Sequence, residues 1–272
     1  MKKERLDVLL VEKGFFDSRE KAKGSIMSGT VFVEGQRSDK AGLKIDVEAD
    51  IVIKGKTLPY VSRGGLKLEK AVEEFGIDLK DKTCIDIGSS TGGFTDCMLQ
   101  KGANKVFAID VGYGQLDFKL RQDPRVIVME RTNIRNVTLP DVKEQVDFIS
   151  VDVSFISLKL VLPVARKLLK DNGTMVVLIK PQFEAGREKV GKNGVIRDPK
   201  IHKEVVTKVL DFIQKEEIGI AQLSFSPIKG PKGNMEFLAY LQNQSIHWVD
   251  NTLDDKVQQI IEEAHLSLKN TI

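Results

Sequence analysis

Residues 83 to 95, Thr-Cys-Ile-Asp-Ile-Gly-Ser-Ser-Thr-Gly-Gly-Phe-Thr, carry an apolar strand straight into a glycine-rich turn, and 22 residues after Gly88 a second apolar strand ends in Asp110. Glycines at 88, 92 and 93 let the backbone turn sharply and approach a ligand, and a carboxylate about 20 residues on is placed to grip ribose hydroxyls. A dinucleotide fingerprint needs glycine two residues after the first, where a pyrophosphate presses on the chain; here that position is Ser90. The pattern points to a nucleoside cofactor without a pyrophosphate. S-adenosyl-L-methionine fits, with its amino-acid end over the loop and its ribose on Asp110. The same residues also suit a bare strand-to-helix turn with no ligand. The candidate cofactor contacts are Asp86, Gly88, Ser89, Ser90, Thr91, Gly92, Gly93, Phe94, Asp110, Val111, Asn133 and Asp152.

From residue 80 onward apolar runs at 83–87, 105–109, 126–129, 146–151, 174–179, 218–225 and 235–241 alternate with helical stretches, which predicts an α/β fold built on a doubly wound sheet. The last two runs have no helix between them. This fits the seven-stranded, Rossmann-like class I methyltransferase sheet, whose seventh strand inserts antiparallel. A chain of 272 residues, 41% hydrophobic, has room for that core and a smaller module. Residues 1–57 read as that module, a small α+β unit. Helical spacing covers 4 to 14, a second amphipathic segment is capped by Ser18, and Val31 to Gln36 form a strand, turn and return before Ile51-Val52-Ile53 closes the unit. Residues 58–62 are the expected linker and 63–272 the large domain.

The opening Met-Lys-Lys-Glu-Arg-Leu-Asp has no apolar leader core, and no stretch approaches the roughly 18 apolar residues of a membrane span, so a cytoplasmic chain without membrane contact is expected. Cys84 and Cys97 suit neither a zinc site nor a disulfide framework, and no metal is expected. A net charge of +3 over 42 basic and 39 acidic residues is uninformative in bulk, so the distribution of charge must carry any argument about nucleic acid.

Ligands of such sheets bind beyond the carboxyl ends of the strands. Asp152 ends the fourth strand, Lys180 the fifth, Glu236 opens the seventh, and Lys67 lies on the helix leading into the sheet. Each alone reads as a surface charge. Together they resemble the Lys-Asp-Lys-Glu tetrad of FtsJ-like RNA 2′-O-methyltransferases. A ribose 2′-hydroxyl is a poor nucleophile, so activating and aligning it is the chemical task. Lys180 is the expected base, while Asp152 and Glu236 favour charged lysines and so orient them. In an alternative, Lys180 stays charged, stabilises the developing alkoxide, and the proton leaves by water.

Arg5-Leu6-Asp7, Gly14, Ser18-Arg19, Ala22, Ile26, Gly29 and Val31 to Gly35 resemble the S4 RNA-binding domain. That resemblance implies phosphate contacts from Arg5, Ser18, Arg19, Lys21 and Lys23, with Lys2 and Lys3 as neighbours. Arg63 belongs to the same group of candidates. Taken whole, with Tyr60 to Lys67, Asp86 to Phe94, Asp110 to Leu116, Asp152 to Ser157 and Lys180 to Glu184, the chain resembles the TlyA family, also labelled hemolysin A. The family implies 2′-O-methylation of cytidine in ribosomal RNA or ribosomal subunits. Members acting on both subunits have longer ends, and residues 247–272 here read as a C-terminal helix. The family linker starts with arginine, where this chain has Leu58.

Base methylation is the rival chemistry. An exocyclic-amine methylase shows Asn/Asp-Pro-Pro-Tyr/Phe where this chain has Asp152-Val153-Ser154-Phe155, and carbon-5 chemistry needs a cysteine near the site. The hemolysin label implies membrane lysis, yet the most apolar stretch, 158–169, contains Lys159, Pro163, Arg166 and Lys167 and reads as a helix packed on the sheet. Finally, residues 184–203 carry Arg187, Lys189, Lys192, Arg197, Lys200 and Lys203 among Gly186, Gly191 and Gly194, which reads either as a basic lid over RNA near Lys180 or as a solvated loop.

Overall fold

A computed structural model describes residues 3–27, 29–54, 58–191, 193–230, 232–244 and 250–269. Lys2, Lys192, residues 55–57, 247–249 and 270–272 and the side chain of Arg187 lie outside what is described. The chain divides into two compact units, Met1–Ser62 and Arg63–Ile272.

The first unit runs β1 (Lys3–Arg5), α1 (Leu6–Glu12), α2 (Arg19–Met27), β2 (Val31–Val33), β3 (Gln36–Arg37), β4 (Lys44–Asp46) and β5 (Ile51–Ile53). Glu34 and Gly35 both take positive φ, 49° and 74°, as a type I′ hairpin turn between β2 and β3 requires. Strands β3-β2-β5 form one sheet, and β1 pairs antiparallel with β4 in another. Residues 3 to 5, expected to lead into a helix, are therefore a strand. Lys-Glu-Arg has no apolar alternation, so only its pairing with Lys44, Ile45 and Asp46 makes it one. Leu6, Leu9 and Leu10 of α1 meet Ala22 and Ile26 of α2 and Val31 of β2 in the core of this unit.

The second unit continues with α3 (Gly65–Phe75), β6 (Thr83–Ile87), α4 (Gly93–Gln100), β7 (Lys105–Ile109), α5 (Phe118–Arg121), β8 (Val126–Met129), α6 (Leu139–Val142), β9 (Val146–Val151), α7 (Leu162–Leu168), β10 (Leu169–Ile179), α8 (Pro181–Glu184), α9 (Pro199–Lys215), β11 (Gly219–Phe225), β12 (Phe237–Gln242) and α10 (Asp250–Ser267). The strands form one sheet in the order β11-β12-β10-β9-β6-β7-β8. Neighbours from β10 to β8 are parallel, while β12 is antiparallel to both β10 and β11. The expected topology, with a seventh strand inserted antiparallel, is present. Boundaries shift by one or two residues at β11 and β12, so that Glu236 precedes its strand, and by five at β10, which starts at Leu169 because the chain leaves α7 already extended and pairs Leu169 with Val146 before its register shifts ahead of Thr174. Helices on both faces bury Ile85, Phe148, Ile149, Val176 and Val177 almost completely, which is why these strands are unbroken apolar runs.

This topology places the site. The ends of β6, β7, β9 and β10 and, because β12 runs the other way, the residue just before β12 all fall at one edge of the sheet.

Candidate functional site

Four charged side chains meet at that edge. Lys67 enters from the first turn of α3, Asp152 follows β9, Lys180 follows β10, and Glu236 precedes β12. Lys67 Nζ lies 2.7 Å from Glu236 Oε2 and 3.3 Å from Asp152 Oδ2, and Lys180 Nζ lies 2.5 Å from Asp152 Oδ1. All four side chains are largely buried, Glu236 to 1% exposure. Charges this deep persist only when paired, and here two cations and two anions cancel. Burial acts to lower the Lys67 pKa, but the charges of Asp152 and Glu236 outweigh it, so Lys67 is raised and stays an ammonium. Burial acts to raise Asp152, and the two lysines overcome it and hold the carboxyl below its ordinary value. Lys67 is thus a fixed cation with both carboxylates in its grip.

Neighbouring groups shape the cluster. Lys180 also donates to Ser154 Oγ at 3.0 Å. Glu184, one turn beyond Lys180, accepts from the Ser157 hydroxyl and the Leu158 N–H, both at 2.7 Å, and so braces the segment after β9 against the segment after β10. Gly230 leaves room for Glu236: a Cβ there would lie 2.7 Å from Oε1. Phe155 takes positive φ, 64°, and is 89% exposed beside the site, with its ring 4.9 Å from that of Phe183.

The glycine loop adjoins the tetrad. Gly88 and Ser89 donate N–H groups to the Ile109 carbonyl at 2.9 and 3.1 Å, joining the ends of β6 and β7. Asp110 accepts Ser90 N–H on Oδ2 at 2.8 Å and Gly112 N–H on Oδ1 at 2.7 Å. Ser90 itself is left-handed, at φ 47°, and exposed. Ser90, Thr91, Asp110 and Val111 therefore face or border solvent where a nucleoside could lie, and each Asp110 oxygen keeps a further lone pair. Asn133 is half-buried and caps the turn at Ile134, its Oδ1 accepting from Arg135 N–H at 3.1 Å.

Two candidate contacts are moved out of the loop. Asp86 is fully buried, with Oδ2 accepting from Thr95 Oγ1 at 2.6 Å and Oδ1 from Ser150 Oγ at 3.1 Å, so it ties β6 to α4 and β9 beneath the loop. Burial pushes its carboxyl up to about 6. Phe94 is 3% exposed and packs in the interior from α4. Gly88 and Gly92 are glycines partly for packing: a Cβ on Gly88 would meet the Asp152 carbonyl at 2.5 Å, and one on Gly92 the Leu120 side chain at 2.2 Å.

Glu130, after β8, is a residue the motifs do not announce. It accepts from the N–H groups of Gln115 and Leu116 and pairs with Arg121, anchoring the loop after Asp110. The Gly114 N–H, with Arg121 and Leu116, holds its carboxyl below the ordinary range. On the same rim Arg131 lies 4.1 Å over the exposed Tyr113 ring.

Of the basic residues singled out in the first unit, Arg5 and Arg19 share the buried Asp7, at 3.0 and 2.8 Å. The Arg5 hydrogen bonds, opposed by burial and supported by Arg19, hold Asp7 far below the carboxylate range. Two half-exposed guanidiniums fixed on one carboxylate leave a pre-ordered net positive charge. Ser18 Oγ accepts Lys21 N–H at 3.3 Å, Lys21 pairs with Asp17 at 2.5 Å, and Lys23 is half-buried on α2. In the second unit Arg63 is exposed ahead of α3, and Lys189 pairs with Glu204. The basic segment is anchored by Ile196, which packs with Ala185 and Val205. Among the described residues no helix is long and apolar enough to cross a membrane, and no group of three or more His, Cys, Asp and Glu side chains could hold a metal.

Comparison with known proteins agrees with this geometry. Residues 60–243 match the FtsJ-like methyltransferase family, and residues 4–51 match the S4 domain. YqxC of Bacillus subtilis is 54% identical over 98% of this chain and 96% of its own length. The 16S/23S rRNA (cytidine-2′-O)-methyltransferase TlyA of Mycobacterium tuberculosis is 39% identical over 96% of this chain and 98% of its own. A solved structure from Streptococcus thermophilus that carries the hemolysin name superposes with a TM-score of 0.78 at 47% identity, covering 99% of this chain and 98% of that one.

Proposed function

This chain belongs to the FtsJ-like methyltransferase family, and from that premise we propose that it methylates a ribose 2′-hydroxyl, that of a cytidine, in ribosomal RNA, with its S4 domain docking the RNA. The observation that carries the reading is the buried Lys67–Asp152–Lys180–Glu236 cluster beside the glycine loop. Conversion of Asp86 and Phe94 to structural duty leaves Ser90, Thr91, Asp110 and Val111 to hold S-adenosyl-L-methionine. The half-exposed Asp110 carboxylate, locked by two backbone donors, fits a ribose diol. When bound, this cofactor supplies a methyl group made electrophilic by the adjoining sulfonium.

The chain's own residues then divide the work. Lys67 remains charged and fixes Asp152 and Glu236 as acceptors. Asp152 and Ser154 orient Lys180 Nζ, which would receive the proton of the ribose hydroxyl. To act as the base Lys180 must first yield a proton. If it stays charged, the ammonium stabilises the oxyanion instead and water takes the proton. Phe155, exposed and held in a left-handed turn, offers a face for a nucleobase of the substrate. Arg5, Arg19, Lys21, Lys23, Arg63, Arg187 and Lys189 are the proposed phosphate contacts, and action on ribosomal RNA places the enzyme in the cytoplasm.

The test is transfer of labelled methyl from S-adenosyl-L-methionine to purified ribosomal subunits and to naked RNA, with products mapped by 2′-O-methyl-sensitive sequencing. Ribose methylation lost in Lys180→Ala supports the assignment; methylation on a base overturns it.

A further inference from the structure

We propose that Asn234 is a positioning residue that couples the basic segment following Lys180 to the aim of Glu236, a role that rests on the ribose-methylation reading above. Asn234 is 3% exposed and commits both ends of its amide to that segment: Oδ1 accepts from Ile196 N–H at 3.0 Å, and Nδ2 donates to the Gly194 carbonyl at 2.8 Å. Its main chain holds the turn before β12, because its carbonyl accepts from Gly230 N–H at 2.9 Å while Gly233 N–H closes on the Gly230 carbonyl at 2.8 Å. The turn matters to the reaction centre. It places Gly230 against Glu236 Oε1, and Glu236, two residues past Asn234, grips Lys67 at 2.7 Å.

The other side of the amide leads to Lys180. Ile196 is 3% exposed and seats the segment against Ala185, one residue past α8, which itself opens directly after Lys180. Lys189 and the exposed Arg197 sit on this path. The chain therefore leaves the tetrad at Lys180, crosses the basic segment, and is returned through one buried amide to the tetrad at Glu236. RNA phosphates bound on the segment and the carboxylate that orients Lys67 are set by the same pair of hydrogen bonds. Breaking them leaves the buried Ile196 N–H and the half-buried Gly194 carbonyl without these partners, and an unpaired buried group is costly.

Asn234→Ala and Asn234→Asp are compared with wild type in four measurements: methyl transfer to ribosomal subunits, RNA affinity, calorimetric cofactor affinity and amide hydrogen exchange. For Asn234→Ala, kcat falls about tenfold through misaimed Glu236. KM for RNA rises about fivefold, as expected for one net hydrogen bond. Cofactor affinity stays within about twofold, and the Ile196 amide loses exchange protection. Asn234→Asp keeps the acceptor for Ile196 but sets a carboxylate oxygen against the Gly194 carbonyl. Protonation restores the donor, so its RNA affinity relative to wild type recovers as the pH is lowered, a signature that general loosening of the fold does not produce. Unchanged kcat and RNA KM in folded Asn234→Ala, or cofactor affinity falling in step with RNA affinity, overturns the coupling. Wild type that binds RNA yet leaves no ribose methylation overturns the underlying reading instead, and the exchange and RNA-affinity arms still decide the coupling.

Discussion

Gly88 and Asp152 lie back to back: the position a Gly88 Cβ would take is 2.5 Å from the Asp152 carbonyl oxygen, and Asp152 N–H in turn donates to Ile87 at 3.0 Å. The glycine loop and the tetrad are two faces of one backbone contact. Gly88 also has φ of 86°. Gly88→Ala is therefore expected to cost roughly 2 kcal/mol in strain and to impair cofactor binding and methyl transfer together. Denaturant melts and a cofactor titration check this, and an alanine variant of wild-type stability and affinity would show that the contact relaxes freely.

Lys67 separates two buried carboxylates. Lys67→Met leaves Glu236, at 1% exposure, without a cation, and the expected destabilisation is roughly 3–5 kcal/mol. Adding Glu236→Gln removes the stranded charge and should restore more than half of that loss while activity stays absent. Equal instability of the single and double variants in chemical denaturation would mean that Lys67 acts by packing.

Asp86 carries a pH dependence of definite sign. Its folded pKa, raised by burial to about 6, lies above the ordinary 3.8, so the folded state holds its proton longer and stability falls as pH rises from about 4 to about 6. Asp86→Asn can still accept from Thr95 and donate to Ser150. It should flatten this part of the stability curve and leave the protein no less stable at pH 7. A markedly destabilised Asn variant at neutral pH would contradict the account.

His202 acts in the opposite direction. It is fully buried on α9, 2.9 Å from His265 on α10, and burial, reinforced by the charge His265 would carry, lowers its pKa to about 4. Asp198, at the N-cap of its own helix, opposes this more weakly. The unfolded chain binds the proton first, so stability present above pH 6.5 is lost as pH falls towards 4. His202→Leu removes that titration, and acid melts monitored by circular dichroism should show a shallower loss than wild type below pH 6.5.

The large domain was legible because strands buried on both faces must be continuous apolar runs, and a strand end beside a ligand must carry charge there. Asp152, Lys180 and Glu236 stand out at strand ends for that reason, whereas Lys67 lies among other charges on α3, and the structure links the four by contacts of 3.3 Å or less. The hydrogen bonds of Asp86 are not legible in advance, because a carboxylate inside an apolar strand looks the same whether it meets a ligand or two hydroxyls from α4 and β9. Glu130 and Asn234 bond to main-chain groups, which have no side-chain signature. The strand at Lys3–Arg5 and the early start of β10 depend on partners distant in sequence, and no local pattern encodes them.

The antiparallel seventh strand carries a temporal consequence. β12 slots between β10 and β11, and the residue just before it completes a cluster whose other members reach back to residue 67. Glu236 is synthesised after both the unit Met1–Ser62 and the other three members of the tetrad. A chain cut short before Glu236 lacks that carboxylate, and Lys67 is left with Asp152 alone. The tetrad is thereby closed only once β12 has taken its place in the sheet.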